Sequence, residues 1–168
     1  MAIIGILSVI GIGSFTQATE KSKDTQRKND LNQIAKALEV YYNDVGSYPA
    51  SNGDGVIMCR PVLSSTECNP ESACTTKFTY CFNGKTTIYL SKLPIDSSAE
   101  RKYFYKPDTS LGSFALYAAL ENTEDKDIVV ISGTTDKTNW NDDGVDCGTL
   151  VSVPCNYKIT ETGLVRAK

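Results

Sequence analysis

The sequence contains no histidine. That removes the side chain most often used as a general base near neutral pH and every histidine-containing zinc site. There is no Cys-x-x-Cys pair, so neither a dithiol redox motif nor a typical zinc knuckle is encoded. No apolar run reaches 18 residues, the length that would announce a complete membrane span. Strong charge of either sign is missing too: the net charge is −3, which gives no reason to expect nucleic acid as the main partner. Gly11-Ile12-Gly13 lies inside an apolar stretch and follows no strand, so it does not form a phosphate-binding loop. Carboxylates such as Asp142-Asp143 are adjacent in a loop, with nothing to set them around a pocket. Together these absences point away from an enzyme.

What is present is 168 residues, 40% hydrophobic and 22% charged, enough for one ordinary domain with a core. Six cysteines, Cys59, Cys68, Cys74, Cys81, Cys147 and Cys155, all lie in the polar part of the chain. An even count without metal-ligand spacing reads as disulfides and an oxidising compartment. Cys147 and Cys155 stand apart from the rest and pair with each other. The other four allow three pairings, with sequential closure, Cys59–Cys68 and Cys74–Cys81, favoured because it makes the shortest loops.

The chain opens on "MAIIGILSVIGIGSF", uncharged and almost wholly apolar. From Leu31 the apolar residues recur at Ile34, Leu38, Tyr41 or Tyr42, and Val45, intervals of three and four. No proline or glycine falls between Thr16 and Asp44, so a single helix is predicted from Ala2 to about Asp44, stopped by Asn43-Asp44-Val45-Gly46 and Pro49. Asp24 and Lys28 are placed for an i,i+4 pair. At 1.5 Å per residue such a helix is about 65 Å long, too long for some 120 following residues with a radius of gyration of about 13–14 Å to cover. Residues 1–30 are therefore predicted to protrude, and residues 31–168 to form the head. An apolar half-helix of this kind wants lipid or other apolar helices. As an isolated segment, it is also compatible with a signal-peptide core or a buried core helix.

Beyond Pro49 the composition turns to Ser, Gly, Asn, Pro and Cys, a loop region stapled by disulfides. Asn83-Gly84 between two Thr/Tyr/Phe-rich runs predicts a hairpin. "KYFYK" and "SFALYAALEN" give two further strands, "DIVVIS" a short one, and "LVSVPCNYKIT" an edge strand marked by Pro154. The fold class is α+β: a long N-terminal α-helix packed on an antiparallel β-sheet head. The tyrosines are assigned to core and hairpin packing rather than to ligand stacking, as is Trp140.

"AIIGILSVIGIGSF", the polar helix after it, and "ALEVYYNDVGSYP" together resemble the type IV pilin and type II secretion pseudopilin family. The stretch "LSKLPIDSSAERKYFYKPDTSLGSFALYAALEN" is similar to the pseudopilin-type head, where a Leu-Pro dipeptide leads into paired strands. The basic leader, its terminal glycine and the Phe-Thr-Leu-Ile-Glu-like segment of that family have no counterpart in this sequence. Met1 stands where the family is already inside its helix. Ala2–Phe15 spans about 21 Å, short of the roughly 30 Å hydrocarbon core, and about nine or ten more residues would complete a span.

The resemblance implies a structural subunit of a helical homo-oligomeric filament, with the type IV pilus as first reading and the type II secretion pseudopilus as alternative. Ala2, Ile3, Ile4, Ile6, Leu7, Val9, Ile10, Ile12 and Phe15 would be the filament-core and membrane helix. Glu20, Lys23 and Arg27 on the shaft would serve subunit contacts. A prepilin peptidase and inner-membrane assembly machinery are implied as partners. The implied location is the inner membrane before assembly, then an extracellular filament, or a periplasmic one for a pseudopilin. A reading of another class is a membrane-tethered extracellular binding module. No cofactor is expected, with calcium the one ion the oxygen-rich stretches would suit. Asn139, Asn141 and Asp143 with Gly144 match the start of a calcium loop, but Leu150 stands where its closing glutamate should be. Some major pseudopilins bind calcium in a head loop, and the corresponding stretch here carries Glu121, Asp125 and Asp127. A solvated acidic loop is the expectation for both stretches.

Overall fold

The computed structural model describes residues 2–60, 67–82, 84–108, 110, 112–128 and 145–165, and only the backbone of residues 2–14. A single helix, α1 (Ala2–Val45), runs the whole predicted length. Gly46 ends it at φ 82°, its N–H bonded to the Tyr42 carbonyl at 2.8 Å. Glycine adopts that left-handed turn without the strain a Cβ would bring.

The head is antiparallel throughout its named strands. β1 (Met58–Cys59) pairs with β2 (Ser72–Ala73). β3 (Phe78–Phe82) pairs with β4 (Lys85–Leu90) across Gly84, at φ 71°, as the Asn-Gly signal requires. β5 (Phe104–Asp108), β6 (Ser113–Ala118), β7 (Tyr157–Thr160) and β8 (Gly163–Leu164) form a four-stranded sheet in chain order. Pro107 lies in β5, the edge strand, where a missing N–H costs no ladder bond. The expectation for Pro154 needs correction. It precedes β7, which is an inner strand between β6 and β8, and the edge on that side is the two-residue β8. The "DIVVIS" strand lies largely outside the described residues.

Alternation along β5 and β6 sets up two layers. Tyr105, Phe114, Leu116 and Ala118 join Tyr157 and Ile159 and the helix stripe Leu31, Ile34, Leu38 and Tyr41 in the main core. Phe104 and Tyr117 turn the other way, onto Val145 and the Cys147–Cys155 bridge. The sheet is thus covered by α1 on one face and by a disulfide-closed loop on the other. The β3–β4 hairpin packs its own aromatic face on the helix: Tyr41 stacks on Phe78 at 5.3 Å and meets Tyr80 and Tyr89 edge-on at 5.1 and 5.2 Å. This is the cross-element aromatic packing that the tyrosine-rich composition suggested.

All six cysteines are bridged. Cys147 pairs with Cys155 as expected. Sequential pairing of the other four is overturned: the bridges are Cys59–Cys74 and Cys68–Cys81. The cause is strand register. β1 lies beside β2, and the Cys74 N–H bonds the Ile57 carbonyl at 2.8 Å, which brings the Cα atoms of Cys59 and Cys74 within 5.1 Å, a normal span for a disulfide. Shortest-loop reasoning cannot see a β-pairing that joins distant cysteines.

Candidate functional site

The site with most at stake is the mount that joins α1 to the head. Below Leu31 it is apolar, as the stripe predicts. Above Leu31 the same helical face continues at intervals of three and four through Arg27 and Asp24, and both are buried. The Arg27 side chain is completely enclosed, at 0% exposure. Its Nε donates to Asp96 Oδ2 at 2.7 Å, Nη1 to Asp24 Oδ1 at 2.7 Å, and Nη2 to both Asp96 Oδ1 at 2.9 Å and Glu121 Oε1 at 2.6 Å. A planar guanidinium fork suits such a set, and an ammonium does not. Asp24 in turn accepts the backbone N–H groups of Glu121 and Asn122 at 2.9 and 2.8 Å.

One turn further round, Lys28 Nζ donates to both oxygens of Asp125 at 2.7 and 2.8 Å and to Asp127 at 2.8 Å. Tyr103 donates its hydroxyl to Asp30 at 2.8 Å, and Lys23 reaches Glu121 at 3.5 Å. Three head segments, around Asp96, Tyr103 and Glu121–Asp127, therefore close on helix residues 23–30. Asn156 braces the third of them, with its amide oxygen accepting from the Leu120 N–H at 2.7 Å and its amide nitrogen donating to the Leu120 carbonyl at 3.0 Å.

This geometry revises several expectations. Arg27 does not face outward as a subunit contact; it is consumed within its own head. Asp24 and Lys28 do not pair with each other; both are turned to the Glu121–Asp127 segment, Asp24 to the backbone at Glu121 and Asn122 and Lys28 to Asp125 and Asp127. Glu121, Asp125 and Asp127 are not a solvated loop. Their charges are met by Arg27, Lys23 and Lys28 from α1, and no group of three acidic, cysteine or histidine side chains among the described residues is arranged to hold a metal ion. Asn139, Asn141 and Asp143 lie outside the described residues, as does Trp140.

Burial pushes the Glu121 carboxyl up, but the Arg27 hydrogen bond and the charges of Arg27, Arg101 and Lys23 outweigh it and hold it below the usual glutamate value. Asp146 is also held low, chiefly by the Gly148 backbone N–H and then that of Val153. Burial holds Asp30 up, offset in part by Tyr103. Burial opposes the charge on Lys28, but Asp125 and Asp127 raise it above the usual lysine value. The signs follow from linkage. Stability due to Glu121 and Asp146 is present above their unfolded values and is lost as pH falls through their lowered folded values. The penalty at Asp30 is relieved as pH falls, which opposes that loss. The Lys28 contribution persists until pH rises through its raised value. The melting temperature is therefore expected to fall on acidification below the ordinary carboxylate range. In Glu121→Gln, thermal melts followed by circular dichroism should show a shallower acid limb, converging with the parent at the lowest pH.

Beside the mount lies a groove of about 370 Å³, with Ile34, Ile57, Leu93, Ile95 and Leu116 among its lining residues. Asp96, Arg101, Tyr103 and Tyr105 also line it, and each is engaged elsewhere: with Arg27, the Ala119 carbonyl, Asp30 and the Pro49 carbonyl. These side chains hold segments together rather than converging on a reacting atom.

Above the mount, residues 15–19 are exposed, and the helix continues upward to Ala2. Among the described residues no helix is long and apolar enough to cross a membrane. No protein-family model matches the chain, and no solved structure matches it significantly. Among curated proteins, the type II secretion system core protein G of Pseudomonas aeruginosa is 28% identical over 119 residues, covering 70% of this chain and 73% of that protein. Fold and comparison together show a pilin-like α+β chain, a long N-terminal helix mounted on an antiparallel disulfide-braced head, with similarity to a secretion-system core protein.

Proposed function

We propose that the chain is a structural subunit of a helical filament, assembled through the apolar N-terminal part of α1, and that this filament is a type II secretion pseudopilus. The observation that carries the reading is the division of α1. From Lys23 onward the helix is bound to the head, while residues 15–19 stand exposed on a helix that continues through the apolar stretch to Ala2. Apolar helical surface of that kind is stabilised by other helices or by lipid. The similarity to a type II secretion core protein favours the pseudopilus within this class. The type IV pilus is the second reading. It is favoured by the three bridges, which suit a head exposed outside the cell. In either filament the head faces outward, and assembly exchanges lipid for neighbouring helices.

The test is assembly. Full-length chain in detergent is expected to form filaments, seen by negative-stain electron microscopy, once detergent is removed. Deletion of residues 2–15 is expected to leave a folded monomer that never enters them. A full-length chain that stays monomeric and binds a ligand equally well without residues 2–15 would instead identify a tethered binding module. Filaments on the surface of intact cells would favour the pilus over the pseudopilus.

A further inference from the structure

We infer that the polar mount is a mechanical stop: under tension on the N-terminal end of α1, the helix unravels down to Asp24 and halts there. This rests on the filament reading for its purpose, since a subunit drawn from a membrane or held in a filament is pulled by this helix. It rests on the mount alone for its physics. A helical turn without tertiary contacts is held only by its own hydrogen bonds, and isolated helices are marginal in water. Residues 17–19 are exposed on the helix, ahead of the first hydrogen bond to the head at Lys23. A pull on them meets its first resistance from the head at Lys23 and Asp24.

The arrangement at that point suits the role. Asp24 is tied to two backbone N–H groups, and Arg27 to carboxylates 69 and 94 residues away in the chain. Lys28 and Asp30 add two further attachments within the next turn. Unwinding the helix at Asp24 or Arg27 would displace their side chains and break several short charged bonds together, in a site shielded from water, where such bonds are least weakened. Leu31, Ile34 and Leu38 follow, but an apolar contact slides, whereas a set of directional bonds must break. The apolar stripe thus fixes where the helix lies, and the ion cluster fixes how far it can be stripped.

The experiment is single-molecule force extension on the full chain in detergent, with azide-bearing residues as handles at two exposed positions, Gln17 and Leu150. The second handle sits in the loop closed by Cys147–Cys155, so it stays tied to the head. A residue released from helix to extended chain lengthens by about 2 Å. In the parent, the low-force lengthening is expected to cover residues 17–23, about 14 Å, before a distinct higher-force rupture. In Arg27→Met it is expected to run past the weakened Asp24 contact to Lys28, whose own carboxylate bonds remain, residues 17–27, about 22 Å. Arg27→Lys keeps the charge but not the three-way fork, and serves if the methionine variant does not fold; it is expected to stop at Asp24 but yield at lower force. Lys36→Met, exposed on the docked half, should match the parent. A parent that lengthens by about 22 Å or more without a stop at Asp24, or Arg27 variants indistinguishable from it in both length and force, would overturn the inference. Because the measurement is made on single subunits, either outcome is independent of whether filaments form.

Discussion

Arg27→Met is expected to lower the melting temperature by about 10 °C or more, the largest effect of any single substitution in α1. The magnitude does not come from the favourable energy of the ion pairs, which desolvation largely offsets in a buried site. It comes from what is left behind. Asp24 and Asp96 would remain buried with their principal counter-charge gone, and stranding a buried charge costs about 3–5 kcal/mol. For a chain of this size each kcal/mol moves the midpoint by about 2–4 °C. Methionine fills most of the vacated volume, so a cavity contributes little. The check is a thermal melt at neutral pH beside the double variant Arg27→Met, Asp96→Leu. Removing one of the stranded carboxylates should recover part of the loss, although the two introduced apolar side chains make no new polar contact. A double variant less stable than the single would mean that packing, not charge, dominates the site.

Reduction of the three disulfides is expected to abolish the cooperative transition of the head at physiological temperature. Bridges closing loops of 8, 13 and 15 residues contribute about 2.5–3 kcal/mol each in the chain-entropy model, roughly 8 kcal/mol together. That is comparable to the whole stability of a typical domain. Five of the six cysteines are buried: Cys81, Cys147 and Cys155 fully, and Cys59 and Cys74 at 5% exposure; Cys68 is half-buried, so the Cys68–Cys81 bridge is the most open to reductant. Reductant alone at low temperature should therefore act slowly on Cys59–Cys74 and Cys147–Cys155. Reductant with mild heating or urea should act at once, because unfolding exposes the bridges. Near-ultraviolet circular dichroism, to which the tyrosines packed between α1 and the β3–β4 hairpin contribute, reads the loss of tertiary packing. A reduced chain that keeps a sharp transition would show that the cores carry the head unaided.

The elements that local chemistry dictates are legible from residues alone. The docked half of the helix follows from a stretch between Thr16 and Asp44 without proline or glycine and from the spacing of Leu31, Ile34, Leu38 and Tyr41. Asn83-Gly84 marks the β3–β4 hairpin, and the runs around Tyr105 and Leu116 mark β5 and β6. What escapes is non-local. Asp24 and Arg27 read as shaft charges because their partners, Asp96, Glu121 and the backbone at Asn122, lie far along the chain. One signal does exist: both fall on the helical face that the apolar stripe extends, and a charge placed on that face points into the head. The cysteine pairing depends on β1 meeting β2, two strands of two residues each, too short to leave a periodic trace. Pro154 suggests a sheet edge only if it is counted within the strand, and it belongs to the loop before β7.

The bridges also bear on the order of events as the chain folds. Each joins cysteines no more than 15 residues apart, and none involves α1, which contains no cysteine. Oxidation can thus proceed segment by segment as the chain emerges, with no covalent step waiting for the helix to dock. A mispaired bridge such as Cys59–Cys68 would block the β1–β2 register locally and could be exchanged without dismantling the four-stranded sheet. The helix stays free of covalent commitment to its head, so formation of the oxidised head and docking of the helix can be checked as separate matters.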